Sequence, residues 1–291
     1  MRAIATVLLL SSLFSCQSAP PRARAAGLPH SLTDASWARA ADTGIPQVLA
    51  IDPIVAQLLR ASFSAYEHQR RVILENVTNV NTCGYKKRVV RTAQQTITGS
   101  DGQAFLMPVV RGTEAIFTTG TLECTGRNLD VAIDGGGFFS LILPDGSTGY
   151  SRDGALQITS DGKLLTGSGN VLTPEISVPS DTLEISIDPM GQVSGRTAGS
   201  PNTTTIFGML TIHRFVNPSG LRIDNGICHP TEASGAPITS TPGLTGHGIL
   251  KQGFLERSNV QLSDEMINLQ ILEKQHDALV RTMRQFGMVA P

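Results

Sequence analysis

Two stretches of the chain carry hydrophobic residues at helical spacing, and the region between them alternates or runs short. From Asp52-Pro53 onward, Val55, Leu58, Leu59, Phe63, Tyr66, Ile73, Leu74, Val77 and Val80 recur mostly at intervals of three, four or seven. Gln57, Arg60, Glu67, Arg71 and Glu75 fill the opposite face. This pattern predicts an amphipathic helix of about 25 residues. It is entered through an aspartate cap and a proline in the first turn, and closed by Asn79, Asn81 and Gly84. Near the other end, Leu262, Met266, Leu269, Leu272, His276, Leu279, Met283 and Phe286 approximate a heptad seam, with one polar break at His276. The predicted start of this helix is Ser263, which places Asp264 and Glu265 near the positive end of the helix dipole. Neither helix is apolar all round, so each needs a partner. The other helix would serve, and so would its copy in a second chain.

Between the two stripes the character changes. Asp-Gly occurs at 101–102, 134–135, 145–146, 153–154 and 161–162, and Asn225-Gly226 follows. Such pairs signal hairpin turns when β-rich runs flank them. The predicted runs are Leu129–Asp134, Phe138–Leu143, Ala155–Thr159, Glu175–Val178, Leu183–Ile187 and Ile206–Arg214. The fold class that follows is α+β: terminal helices pairing as a coiled-coil-like segment around a central, hairpin-rich, all-β domain.

Composition narrows the function. The 291 residues carry a formal net charge of −1 and only 16% charged residues, so no basic surface is available to hold nucleic acid. The 29 glycines and 16 prolines suit a turn-rich β body rather than a helical bundle. After the N-terminus, no apolar run reaches the roughly 18 residues of a membrane span.

The N-terminus reads as a targeting segment. Arg2 precedes a run of apolar and small residues from Ala3 to Phe14, which resembles a secretory signal. Its ending, Leu13-Phe14-Ser15-Cys16, resembles a bacterial lipobox and makes Cys16 a candidate for lipidation, the one membrane attachment in view. Residues 17–52 are rich in proline, glycine and small residues and read as a tether containing the only tryptophan, Trp37. The remaining cysteines, Cys83, Cys124 and Cys228, form no CxxC and no zinc spacing with histidine. One disulfide or buried free thiols would both fit.

Several motifs together resemble a known family. Residues 74–86, Leu-Glu-Asn-Val-Thr-Asn-Val-Asn-Thr-Cys-Gly-Tyr-Lys, are similar to the asparagine-rich signature of bacterial flagellar rod and hook proteins, which closes their first helix. Phe117–Leu122 through Gly126, Leu129–Phe139, Tyr150–Gly154, Asp161–Leu164, Phe215–Leu221 and Leu250–Glu256 resemble successive parts of the same family, in its order. The match runs over roughly 54–291, with the distal-rod branch nearest. Three features depart from the family: a signal and tether precede the first helix, the segment between Tyr85 and Leu129 is shorter, and Cys83 replaces a small or turn-forming residue. The leader leaves Sec and flagellar type III export both open.

Chemical candidates are sparse. Gly135-Gly136-Gly137 lacks a following GK[ST] and sits between apolar runs, so it reads as a tight turn rather than a phosphate cradle. His213, His229 and His247 are scattered without a second ligand at useful spacing. Asp130 and Asp134 could do acid/base work as a pair, but the resemblance implies turn and interface roles for them. Ser140 and Ser151 lack a nucleophile elbow. No enzyme and no cofactor is expected.

The segments expected are 1–16 signal, 17–52 tether, 53–87 N-terminal helix with the asparagine-rich motif, 88–255 β domain and 256–291 C-terminal helix. The resemblance implies a structural axial subunit of the flagellar basal body, in the cell envelope, whose terminal helices line a helical tube of its own copies. Its implied partners are itself, other rod and hook subunits, and the rings around the rod. Leu58, Phe63, Tyr66, Leu269, Leu272, Leu279 and Met283 are the packing residues expected for this assembly, with Asn79, Asn81 and Gly84 from the motif. The alternatives are an envelope-anchored lipoprotein using the same fold for binding or adhesion and, more remotely, a carbohydrate-active enzyme.

Overall fold

The computed structural model describes residues 53–99 and 102–288. The signal segment with Cys16, the tether with Trp37, the Asp52 cap and Asp101 lie outside the described residues. The chain forms two compact units. Unit 1 takes in the chain through Leu74, then Val90–Thr113, then Ser263 onward; unit 2 comprises Glu75–Val89 and Glu114–Leu262. This grouping cuts across the segments expected from sequence. The asparagine-rich motif goes with the β body, and most of the following hairpin goes with the helices.

Helix α1 spans Pro53–Thr78 and helix α2 spans Leu262–Gln285. The α2 helix starts one residue before the expected Ser263, so Ser263 is helical and not the cap. Within unit 1, Leu58 and Leu59 of α1 and Leu279 of α2 form a buried cluster flanked by Val55, Phe63, Met107, Met283, Phe286 and Met288. Of the two partners that the stripes left open, each helix therefore has the other within a single chain. Strands β1 (Arg88–Thr98) and β2 (Ala104–Ala115) form a two-stranded sheet. A lone hairpin is marginal in water. Here Met107 joins the helical cluster, and His68 of α1 shares a 3.0 Å hydrogen bond with Thr113 Oγ1.

Unit 2 contains β3 (Leu122–Cys124), β4 (Val131–Asp134), β5 (Phe139–Ile142), β6 (Thr148–Ser151), β7 (Gln157–Ile158), β8 (Leu164–Leu165) and β9 (Val171–Thr173). It continues with β10 (Thr182–Ile187), β11 (Gln192–Thr197), β12 (Ser200–Met209), β13 (Ile212–Arg214), β14 (Arg222–Asp224) and β15 (Ile227–His229). Last come β16 (Ile238–Ser240), β17 (Ile249–Gln252) and β18 (Phe254–Glu256). A seven-stranded sheet runs β14-β15-β6-β5-β9-β8-β7, a three-stranded sheet runs β10-β11-β12, and β13–β16, β17–β4 and β18–β3 pair separately. Val131, Ile133, Phe139, Leu141, Leu156, Leu172, Ile212 and Leu250 lie in the main core. A second cluster joins Phe138, Tyr150, Phe215, Leu221 and Cys228, its rings meeting edge to face.

The turn signals divide into two kinds. Asp145-Gly146, Asp161-Gly162 and Asn225-Gly226 do connect paired neighbours, β5–β6, β7–β8 and β14–β15. The pair at 134–135 does not, because β4 pairs with the distant β17, and the pair at 153–154 does not, because β6 lies between β15 and β5, away from β7. Gly154 is instead a close approach: a Cβ there would lie 1.7 Å from the Val131 carbonyl oxygen. Two predicted strands also differ. Glu175–Val178 makes only one bridge, Lys163 to Ser177, because Pro174 and Pro179 bracket it without N–H donors. The run Ile206–Arg214 breaks between β12 and β13, where Leu210 N–H turns to the Gly191 carbonyl at 2.7 Å.

Candidate assembly site

The apolar stripes decide what the helices can do. In α1, Leu58 and Tyr66 are buried and Phe63 is half-buried; in α2, Leu272 and Leu279 are buried, while Leu269 and Met283 are half-buried. Leu58, Phe63, Leu279 and Met283 meet in one cluster, and Tyr66 stacks on His276 with ring centroids 4.2 Å apart. Phe63 lies on the same imidazole at 5.8 Å. The polar break in the seam is thus filled by an aromatic bracket. Burial lowers the His276 pKa and raises that of the Tyr66 phenol.

Beyond these contacts, the N-terminal half of α2 leaves a row of large apolar side chains in water. Leu262, Met266, Ile267 and Ile271 are 46, 45, 37 and 42% exposed. Leu262 and Met266 belong to the expected seam. Ile267 and Ile271 were missed, although their i, i+4 spacing beside Met266 was legible. A continuous apolar row on an exposed helix marks a surface that can bind another protein.

The asparagine-rich motif works within the chain. Asn76, 1% exposed, accepts hydrogen bonds at Oδ1 from the Arg88 N–H at 2.9 Å and the Tyr85 hydroxyl at 3.2 Å, and donates through Nδ2 to the Arg88 carbonyl at 2.8 Å. Asn79 Nδ2 donates to the Glu75 carbonyl at 2.8 Å, closing the last turn of α1, and its Oδ1 accepts from Thr82 Oγ1 at 3.1 Å. Asn81 is exposed. Gly84 has φ +69°, and a Cβ there would come within 2.5 Å of the Arg152 carbonyl carbon. Only glycine meets both demands without strain.

Beside Gly84 lies a buried ionic triad. Lys86 Nζ donates to Glu256 Oε1 at 2.5 Å and to the Thr118 carbonyl at 2.9 Å. Arg152 Nη1 donates to Glu256 Oε2 at 3.1 Å, and Arg152 Nη2 to the Gly135 carbonyl at 2.7 Å. The Gly120 N–H adds a 2.8 Å bond to Glu256 Oε1. The side chains of Lys86, Arg152 and Glu256 are 3, 4 and 0% exposed. Burial lowers the pKa of both cations, and the Glu256 carboxylate opposes that shift. Sequence reading assigned none of these three a role, although all stand in motifs that carry the family resemblance.

The chemical candidates disperse into structural bonds. Asp130 accepts from Thr125 Oγ1 at 2.6 Å, whereas Asp134 pairs with Lys251 at 2.6 Å. His213 Nδ1 meets Thr239 Oγ1 at 2.9 Å, and His247 Nε2 meets the Ile238 carbonyl at 3.0 Å. Among the described residues no group of three or more His, Cys, Asp or Glu is placed to hold a metal ion. Ser140 Oγ donates to the Thr173 carbonyl, and Ser151 Oγ accepts the Asp153 N–H. Gly135–Gly137 form the turn between β4 and β5, where the Gly136 carbonyl accepts the Gly248 N–H at 2.7 Å. Among the described cysteines, Cys83, Cys124 and Cys228 are free thiols.

Comparison with known proteins adds an independent observation. Residues 132–195 match the family model described as the flagellar hook protein FlgE/F/G D1 domain. The chain is 35% identical over 226 residues to the flagellar basal-body rod protein FlgG of Buchnera aphidicola subsp. Acyrthosiphon pisum, an alignment covering 72% of this chain and 86% of that protein. It is 36% identical over 222 residues to FlgG of Agrobacterium fabrum, covering 70% and 84%. With FlgG of Borreliella burgdorferi the identity is 32% over 235 residues, covering 75% and 88%.

Proposed function

Since this chain belongs to the flagellar basal-body rod protein family, a family of structural subunits, we propose that it is an axial subunit of the distal-rod type that polymerises through α1 and α2. The observation that carries the assembly step is the uncovered apolar row on α2, Met266, Ile267 and Ile271. A contact between this row and a different surface of the next copy is heterologous, and a heterologous contact whose rotation does not close builds a helical filament. The neighbours proposed along the axis are other rod and hook subunits, with the surrounding rings outside. The proposed place is the flagellar basal body in the cell envelope.

Ile271→Asp tests this directly. Leu272 is already 3% exposed in a single chain, so a charge there would disturb the subunit itself, whereas Ile271 faces water until copies meet. The expected result is a folded, soluble Ile271→Asp subunit at wild-type levels, no completed hook-basal bodies and no swimming. Normal basal bodies with this variant would overturn the assembly reading.

Leu13-Phe14-Ser15-Cys16 favours a second reading, an envelope-anchored lipoprotein that uses the rod fold to bind or adhere. Intact-mass analysis of the mature chain separates the two. Acylated Cys16, with product retained in membranes and absent from basal bodies, selects the lipoprotein.

A further inference from the structure

We infer that Glu256 is a positioning residue for both terminal helices, the group that fixes where α1 leaves the β body and where α2 begins. This inference rests on the reading of α1 and α2 as the assembly elements. Residues 84–87 and 256–259 run side by side within unit 2. The Gly84 N–H donates to the Glu256 carbonyl at 2.8 Å, and the Asn259 N–H to the Tyr85 carbonyl at 3.4 Å. The Lys87 N–H donates to Asn259 Oδ1 at 2.6 Å, while Asn259 Nδ2 donates to the Ile116 carbonyl at 2.7 Å. Helix α1 ends at Thr78, a few residues before this ladder, and α2 begins at Leu262, just after it. Nothing local in sequence joins these two points. The ladder does, and Glu256 ties it to the interior through Lys86 and Arg152.

Charge counting singles out Glu256 among the three. Two cations face one carboxylate, and the surplus positive charge is met by the Thr118, Ile133 and Gly135 carbonyls and by the Phe138 ring, 5.3 Å from the Arg152 guanidinium. Removing Lys86 leaves a neutral Arg152–Glu256 pair. Removing the Glu256 charge leaves two buried cations without an anion, which is far costlier than removing the pair outright. Buried ion pairs are often no better for stability than apolar packing; their best-attested use is to fix one register among alternatives. Here that register sets the roots of both helices.

Hydrogen exchange on the full-length monomer tests the inference without requiring assembly. In Glu256→Gln, amides of 53–78 and 262–285 should exchange at least ~10-fold faster, while β4 and β5 keep most of their protection. Lys86→Met should be the milder change, and Lys86→Met combined with Glu256→Gln should recover part of the lost protection. Glu256→Asp, which keeps the charge, should fall between wild type and Glu256→Gln. If Glu256→Gln does not fold, the double variant decides: folding with helix protection supports the charge count, and failure overturns it. Wild-type helix protection in Glu256→Gln, or a double variant worse than either single, would also overturn it. Failure of the assembly reading looks different, since Ile271→Asp would then swim normally whatever the state of Glu256.

Discussion

Tyr66 and His276 lie face to face across the helix pair, their ring planes 20° from parallel. This places the only polar residue of the α2 seam against the most buried aromatic residue of α1. Burial is the main reason that the imidazole pKa is depressed, and Arg70 acts in the same direction; Asp277, Glu67 and Glu273 oppose it. The folded pair therefore favours the neutral ring. An unfolded chain takes up the proton first, at the ordinary histidine value near 6.5. The contribution of His276 is complete above that value and is lost as pH falls below it, through the depressed folded value. Exchange protection of α1 and α2 in the monomer should thus weaken between about pH 7 and pH 5, and His276→Phe should flatten that dependence. An unchanged profile in His276→Phe would assign the acid sensitivity elsewhere.

Truncation should separate the two units. A chain ending at Gln261 lacks α2 but keeps β18, Glu256 and Asn259, so its β body should unfold cooperatively with near wild-type stability. A chain ending at Gly253 loses only eight more residues, yet takes the shared Glu256 carboxylate from Lys86 and Arg152 and removes the partner of β3. Circular dichroism and denaturant titration should show a collapse in stability between these two end points. Equal stability would mean that β18 is dispensable to unit 2.

Cys228 offers a probe of the interior. Burial pushes its thiol up to about 12, outweighing the opposing pull of Arg152 and Lys86. The thiolate is the reactive species. At pH 8 an alkylating reagent should modify exposed Cys124 quickly and Cys228 only when unit 2 opens. The Cys228 labelling rate should remain low in Leu279→Ala, which affects only the helical cluster. Fast Cys228 labelling in the native protein would contradict the packed second core.

What the sequence showed and hid follows from the range of each interaction. The helices were legible because periodicity is local: Leu58, Phe63, Leu272 and Leu279 announce their faces within a few turns. The hairpins at 145–146, 161–162 and 225–226 were legible for the same reason. The pairing of β4 with β17 was not, since nothing in Asp134-Gly135 says that the chain continues past its neighbour instead of turning back. The triad was hidden more deeply. Lys86 and Glu256 are 170 positions apart, and each alone looks like an ordinary surface charge. Even the family resemblance marked these stretches as distinctive without saying what bond they make. The exposed row at Met266, Ile267 and Ile271 was half visible, because sequence gives a helix its stripe but not which part of that stripe the chain itself will cover.

The position of Glu256 along the chain has a temporal consequence. A polypeptide that emerges amino terminus first delivers Lys86 early, then Arg152, and brings out their shared carboxylate 104 positions later. Until then both cations stay hydrated, and the strands around them lack the anion that makes burying them tolerable. The two cations therefore cannot be buried at low cost around a half-delivered chain. Their burial waits for the segment that immediately precedes α2, so the roots of both helices are the last part of the body to set.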